Sequence, residues 1–245
     1  MSELINKCKI LLQAYRDGKL GYMKMPEDEH PDFSIMTSEK RLSYFTLPMA
    51  LNYQRNSYTL WESALVTYQD SDTRDVFDIA TCAQMSEEEL RQKLLQYKVG
   101  LQPNKHIQTR HKISKTIYHN RWSITALLEI VNYDFLQLQK IVQHEYKSGF
   151  PYLSWPKIFH YRSMVVQSYG WIDLKNKEYI DIAPDTHITQ CSVKLWVITE
   201  QEASTLSKSE ISDRRRALLD GSGISPSDMH APLWFWSRNG FQFEV

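Results

Sequence analysis

Two residues carry most of the chemical promise in this chain: Lys157 and Asp185. Lys157 closes the stretch PYLSWPK, a tight turn bounded by Pro151 and Pro156. Asp185 opens DTH, directly after Pro184. Proline suits the first helical position and aspartate is a preferred N-cap, so each group is expected at the mouth of a helix. An amine and a carboxylate held that way suit cleavage of a bond between a base and its sugar. The carboxylate would stabilise the cation-like sugar as the bond breaks. The amine would attack the anomeric carbon and form a Schiff base. A lysine attacks only when neutral, and the positive end of a helix favours the neutral amine. The plain alternatives are an ordinary cap at Asp185 and an exposed first-turn lysine at Lys157. A cation there opposes the helix dipole, so stability gives no reason for Lys157.

The elements that must position this pair read as helices. Lys157–Tyr169 places Ile158, Tyr161, Met164 and Val165 on related faces, and Thr186–Ile198 carries the stripe Ile188, Cys191, Leu195. Ser86 with Glu89 forms a capping-box pattern ahead of Leu90, Leu94 and Tyr97. Ser38 is placed to cap a helix bearing Leu42 and Phe45, which Pro48 should end or kink. Residues 123–143 read as one or two helices. No set of alternating strands and no internal repeat is apparent, although Ile180–Ile182 could be extended. Residues 25–33, 70–75 and 219–228 read as a linker or arm, a loop and a turn.

Composition narrows the class. The chain has 245 residues and 42% apolar content, enough for one large core or two small ones. No apolar run is long enough for a membrane helix, and the first residues lack a signal-peptide core. A soluble protein inside the cell (cytoplasm, nucleoid or nucleus) and off the membrane is expected. Cys8, Cys82 and Cys191 are too few and too scattered for an iron–sulfur cluster or a zinc site. Metal ligands are therefore not expected, and His106, His111, His119 and His160 read as surface or DNA-facing groups. Twenty-nine basic residues balance 29 acidic ones, which weighs against a nucleic-acid partner. The distribution answers this in part. Residues 98–121 carry six Lys or Arg and no acid, Arg214, Arg215 and Arg216 follow Asp213, and Glu27, Asp28, Glu29 and Asp32 gather acid near the start.

PYLSWPK and APDTH together resemble the helix-hairpin-helix (HhH-GPD) DNA glycosylase superfamily, whose hairpin ends in a nucleophilic lysine and whose aspartate lies in a VDTH-like stretch. The wide spacing of the two resembles the archaeal 8-oxoguanine DNA glycosylase branch. NYQRNSYTLWE, QPNKHIQTRHKISK and ISPSDMHAPLWFW resemble further stretches of that branch, in the same order. The resemblance spans residues 38–240. It implies an all-α fold of two helical lobes flanking a cleft, with a helix-hairpin-helix element. Residues 1–37 would be a helical or mobile arm. Residues 76–170 would form the middle lobe, and 38–75 with 171–245 the second lobe.

The resemblance implies a base-excision-repair glycosylase with AP lyase activity, acting as a monomer on double-stranded DNA. The damaged base would be an oxidised purine such as 8-oxoguanine. Lys157 and Asp185 take the catalytic positions. Gln54, Tyr161, His230 and Trp234 fall at base-pocket positions, where an extruded base needs aromatic walls and an amide that both donates and accepts. His187 would pack locally or move a proton. Leu153, Ser154 and Trp155 form the hairpin that would hold the DNA backbone. No cofactor is implied, although the resemblance allows a structural monovalent cation at the hairpin. Two departures stand out. Glycines of the hairpin are replaced by Ser154, Trp155 and Pro156, and His230 replaces an acidic pocket residue. They keep two alternatives open: a non-catalytic helix-hairpin-helix DNA-binding protein, and a hydrolase of small modified nucleosides or nucleotides.

Overall fold

A computed structural model of the chain describes residues 2–21, 24–182 and 185–245. Among the described residues there are thirteen α-helices and no strand; the one β feature is an isolated bridge from Asp134 to Lys175. The chain opens with α1 (Ser2–Arg16). Eight helices follow: α2 (Ser38–Leu51), α3 (Ser57–Gln69), α4 (Ile79–Gln84), α5 (Glu87–Gln96), α6 (Lys105–His119), α7 (Ile124–Ile130), α8 (Phe135–Lys140) and α9 (Pro156–Ser168). The last four are α10 (Thr186–Lys194), α11 (Glu200–Thr205), α12 (Lys208–Leu219) and α13 (His230–Arg238). They form two compact units. The terminal unit comprises Met1–Lys24 and Asn176–Val245; the central unit is Met25–Lys175.

The central unit is built around α2. Every residue from Arg41 to Leu51 is buried, so this helix is wrapped on all sides, which its Leu, Tyr, Phe and Met content favours. It packs against α6, α7 and α9. Each large apolar side chain buried in this way contributes about 1.5–3 kcal/mol. The polar groups on α2 find partners at once. Thr46 Oγ1 donates to the Leu42 carbonyl at 2.8 Å, and Arg41 Nε donates to the Gly170 carbonyl at 3.1 Å. Gly170 must be glycine because a Cβ there would collide with the backbone carbonyl oxygen of Val166. Glu39, at the start of α2, accepts from the backbone N–H groups of Ile124 and Thr125 at 3.0 and 2.8 Å. A carboxylate at the start of α7 satisfies orphan donors and the helix dipole together.

The terminal unit rests on α10 packed against α13, with α1 laid on α13. Ile188, Cys191 and Leu195 are buried, as their spacing predicts. The Cys191 thiol donates to the Leu233 carbonyl at 3.2 Å. Tyr15 of α1 stacks on Phe235 with ring centroids 5.5 Å apart. The side-chain amide of Asn239 donates to the Leu20 carbonyl.

Residues 123–143, read as one or two helices, form two, because Asn132 and Tyr133 adopt left-handed backbone (φ 51 and 57) and Asp134 caps a new start. Several other elements differ from the sequence expectations. Thr37, rather than Ser38, caps α2, and Pro48 lies inside that helix rather than ending it. Residues 25–33 are not a loose linker: Met25, Glu27 and Phe33 are buried in the central unit. Residues 1–37 are not one arm, since α1 buries Cys8, Leu11 and Ala14 in the terminal unit. Residues 38–75 pack with the middle of the chain. The helix after Asp185 ends at Lys194. Ser86 caps α5 as expected.

Candidate active-site residues

The central unit holds the lysine. A turn of π-helix (Ile141–Glu145) and a short 3-10 turn (Lys147–Gly149) lead into the hairpin. The hairpin is closed by its own backbone. Leu153 N–H donates to Pro151 O at 2.7 Å, Ser154 N–H to Phe150 O at 2.8 Å and Trp155 N–H to Tyr152 O at 2.9 Å. Tyr152 takes φ 61 to make this turn, a backbone region costly for a non-glycine residue. Trp155 then occupies the N-cap of α9 without a side-chain cap bond, and Pro156 takes the first helical position. Lys157 follows, exposed, in the first turn. Leu153 and Ser154 are buried, whereas Trp155 is 48% exposed.

Tyr161 stands one turn beyond Lys157 on α9, and residues at this spacing share a helix face. Its hydroxyl donates to Glu27 Oε2 at 2.6 Å. Glu27 is buried, and burial pushes its carboxyl up to about 7 against the opposing effect of the Tyr161 hydrogen bond. Gln54 lies in the loop between α2 and α3, exposed and left-handed at φ 49. Its neighbour Tyr53 packs on Tyr152 and Trp155, with ring centroids 4.9 and 5.8 Å away. It is Tyr53 that packs on the hairpin, with Gln54 next to it in the chain.

The terminal unit holds the carboxylate. Asp185 is the N-cap of α10, and its Oδ1 accepts from Ile188 N–H at 3.0 Å. Pro184, expected to deliver it, lies outside the described residues. His187 Nδ1 is 2.9 Å from the Ser237 hydroxyl, a local hydrogen bond. His230 lies close enough to Asp185 and Arg215 to feel both charges. Burial lowers its pKa to about 4, with the Asp185 carboxylate working against that shift and Arg215 with it. His230 is therefore neutral near pH 7, able to donate and accept. Trp234 follows one turn along α13, and Arg238 sits over its ring at 4.7 Å. Asp185, His230 and Trp234 thus belong to one unit, and Lys157, Tyr161, Gln54 and the hairpin to the other.

No protein family, curated protein or solved structure matches the chain.

The basic residues sort by type. Arg110 is buried and its Nε donates to the Val76 carbonyl at 2.9 Å. Arg55 reaches the carbonyls of Val99 and Lys98 at 2.7 and 3.0 Å. In the arginine run of α12, Arg214 pairs with Glu202 at 2.6 Å, Arg215 donates to the Ile182 carbonyl at 2.6 Å, and Arg216 pairs with Asp213 and Asp181. That run is structural rather than a free basic face. Lys98, Lys105, Lys112 and Lys115, all in the central unit, are exposed and have no carboxylate partner among the described residues. Two histidines expected at the surface are buried. His106 Nδ1 accepts from Leu101 N–H at 3.0 Å, and burial lowers its pKa to about 4. His111 is buried as well. His160 packs edge-on against Phe135.

Sequence reasoning missed Glu27, Arg215 and the ring cluster at the hairpin. Glu27 sits in an acidic run that reads as solvated. Arg215 looks like its neighbours Arg214 and Arg216. Tyr53 and Tyr152 are too far apart in the chain for any spacing rule to pair them. All three cysteines are free and buried. No group of metal-binding side chains occurs among the described residues, and none of their helices is long and apolar enough to cross a membrane.

Proposed function

We propose that this chain is a DNA base-excision glycosylase with associated lyase activity. One observation carries the proposal: a closed hairpin presents Lys157, exposed, in the first turn of α9, while Asp185 is fixed as the cap of α10 by its bond to Ile188. Stability explains the aspartate but not the lysine.

The chemistry requires both groups to reach one sugar. The neutral Lys157 Nζ bonds to C1′ as the base leaves with the electron pair of the glycosidic bond. Asp185 stabilises the positive charge that develops on the sugar. Opening of the sugar ring gives a C=N bond, and loss of a C2′ proton then expels the 3′-phosphate. Gln54, Tyr161, His230 and Trp234 are assigned to the base, with an oxidised purine such as 8-oxoguanine as first substrate. A neutral His230 suits a purine edge better than a charged one would, since it can donate to a carbonyl or accept from an N–H.

The test is incubation with duplexes carrying single lesions in the presence of borohydride, which reduces the C=N bond to a stable adduct. Wild-type protein is expected to be trapped and Lys157→Gln is not. Absence of an adduct on every lesion rejects the lysine mechanism. A second reading, a non-catalytic DNA-binding module, is favoured by the hairpin sequence Ser154-Trp155-Pro156, which departs from the glycine-rich hairpin of the resembled catalytic family. Duplex binding without base release supports it. Base release from free nucleosides without duplex affinity would instead indicate a small-molecule hydrolase.

A further inference from the structure

The hairpin of the central unit is poorly made for holding a phosphate. The N–H groups of Leu153, Ser154 and Trp155 donate inside the turn, and Pro156 has none to offer. What the hairpin presents instead is aromatic. Tyr53, Tyr152 and Trp155 form a three-ring cluster. Their centroids are 4.9 Å apart for Tyr53–Tyr152 and for Tyr152–Trp155, and 5.8 Å for Tyr53–Trp155. Tyr152 is buried and has left-handed backbone. Trp155 lies outermost, with nearly half its surface open to solvent.

A cation completes the cluster. Lys105 Nζ lies 4.3 Å from the Tyr53 ring centroid and 4.9 Å from that of Tyr152. It is the first residue of α6, where a positive charge opposes the helix dipole. No carboxylate pairs with it among the described residues. An open indole on a base of rings, beside an ammonium group that no carboxylate among the described residues neutralises, matches a ligand with flat π faces and negative charge. Stacked aromatics beside a basic groove are how single-stranded nucleic acid is held.

We propose that Trp155 is a stacking platform for an unstacked DNA base, with Lys105 neutralising a phosphate of the same strand. Trp155 is a positioning residue, and the hairpin grips DNA through rings where backbone amides would otherwise serve. The proposal rests on the DNA-directed function above but not on its lysine chemistry.

The experiment uses the full chain and a duplex with a stable abasic analogue opposite 2-aminopurine, whose fluorescence is quenched on stacking. Wild type should bind and quench. Trp155→Ala should weaken binding about tenfold or more and lose the quench, while Trp155→Phe keeps most of both. Lys105→Ala should lower the salt dependence of binding by about one phosphate contact, which Trp155→Ala leaves unchanged. The quench is read without borohydride, so absence of trapping on every lesion would sink the lysine chemistry and leave the platform standing. Thermal melts check that each variant folds. Quenching by Trp155→Ala equal to wild type, or no quench by wild type, overturns the platform.

Discussion

The two units hold their reactive groups in opposite ways. In the central unit Lys157 and Trp155 stand in solvent on a hairpin that its own backbone closes. In the terminal unit Asp185 is tied into a helix cap, His230 is kept neutral by burial, and Arg215 is buried against the Ile182 carbonyl. A nucleophile needs access and freedom to reach a carbon. A group that acts through its charge needs a fixed place. The same division separates lysine, which is mostly at the surface here, from arginine, whose planar donors clamp carbonyls in both units.

That contrast can be broken most sharply at Lys157. Lys157→Gln should abolish borohydride trapping while changing unfolding free energy by no more than about 0.5 kcal/mol, as expected of an exposed side chain. A large stability loss would mean that Lys157 is structural. Arg215→Ala should do the reverse and cost about 3 kcal/mol or more in urea denaturation, because it leaves a cavity and an unpaired buried carbonyl.

The units should also differ in their response to pH. Each carries a histidine whose pKa burial lowers to about 4, His106 in the central unit and His230 in the terminal unit. Stability gained from their neutral forms is present above about 6.5 and is lost as pH falls toward 4. The central unit has a buried acid pushed up to about 7, Glu27, while in the terminal unit burial raises Asp181 against the pull of Arg216 and Arg215. A raised acid works in the other direction. Its stability is full below 4.5, the ordinary value, and falls as pH rises to about 7. The fall is bounded at about 3 kcal/mol. Glu27→Gln, which keeps a partner for the Tyr161 hydroxyl, should remove that fall between pH 4.5 and 8. Urea midpoints at both ends of the range measure it, and an unchanged slope would show that Glu27 is not protonated in the fold.

The smallest effect on stability concerns Asp185. Asparagine caps a helix as well as aspartate does, so Asp185→Asn should fold normally and lose base release. Asp185→Ala should cost a further ~1 kcal/mol of stability. Equal activity in Asp185→Asn and wild type would reduce Asp185 to a cap.

Much of this was legible before any coordinates. The Ser86 cap with Leu90 and Leu94, the Ile188–Cys191–Leu195 stripe and the helix starts at Pro156 and Asp185 follow from local spacing, and each is present. The run 123–143 reads as one or two helices, and left-handed backbone at Asn132 and Tyr133 decides for two. Local rules also misled. Acid-rich residues 25–33 look solvated, yet Glu27 is buried against Tyr161.

The sequence by itself determined the helical class, the position of each candidate group at the mouth of its helix, and the chemistry that an amine and a carboxylate can perform. These depend on contacts within a few residues, where residue type and period decide. The tertiary structure alone decided which charges are spent and which are available. Arg215 and Arg214 are adjacent in the chain, but one clamps a buried carbonyl and the other pairs with a surface acid. Tyr53, Lys105, Tyr152 and Trp155 converge from three segments. Burial and long-range packing set those outcomes, because the free energy of a charge or a ring depends on what surrounds it in space.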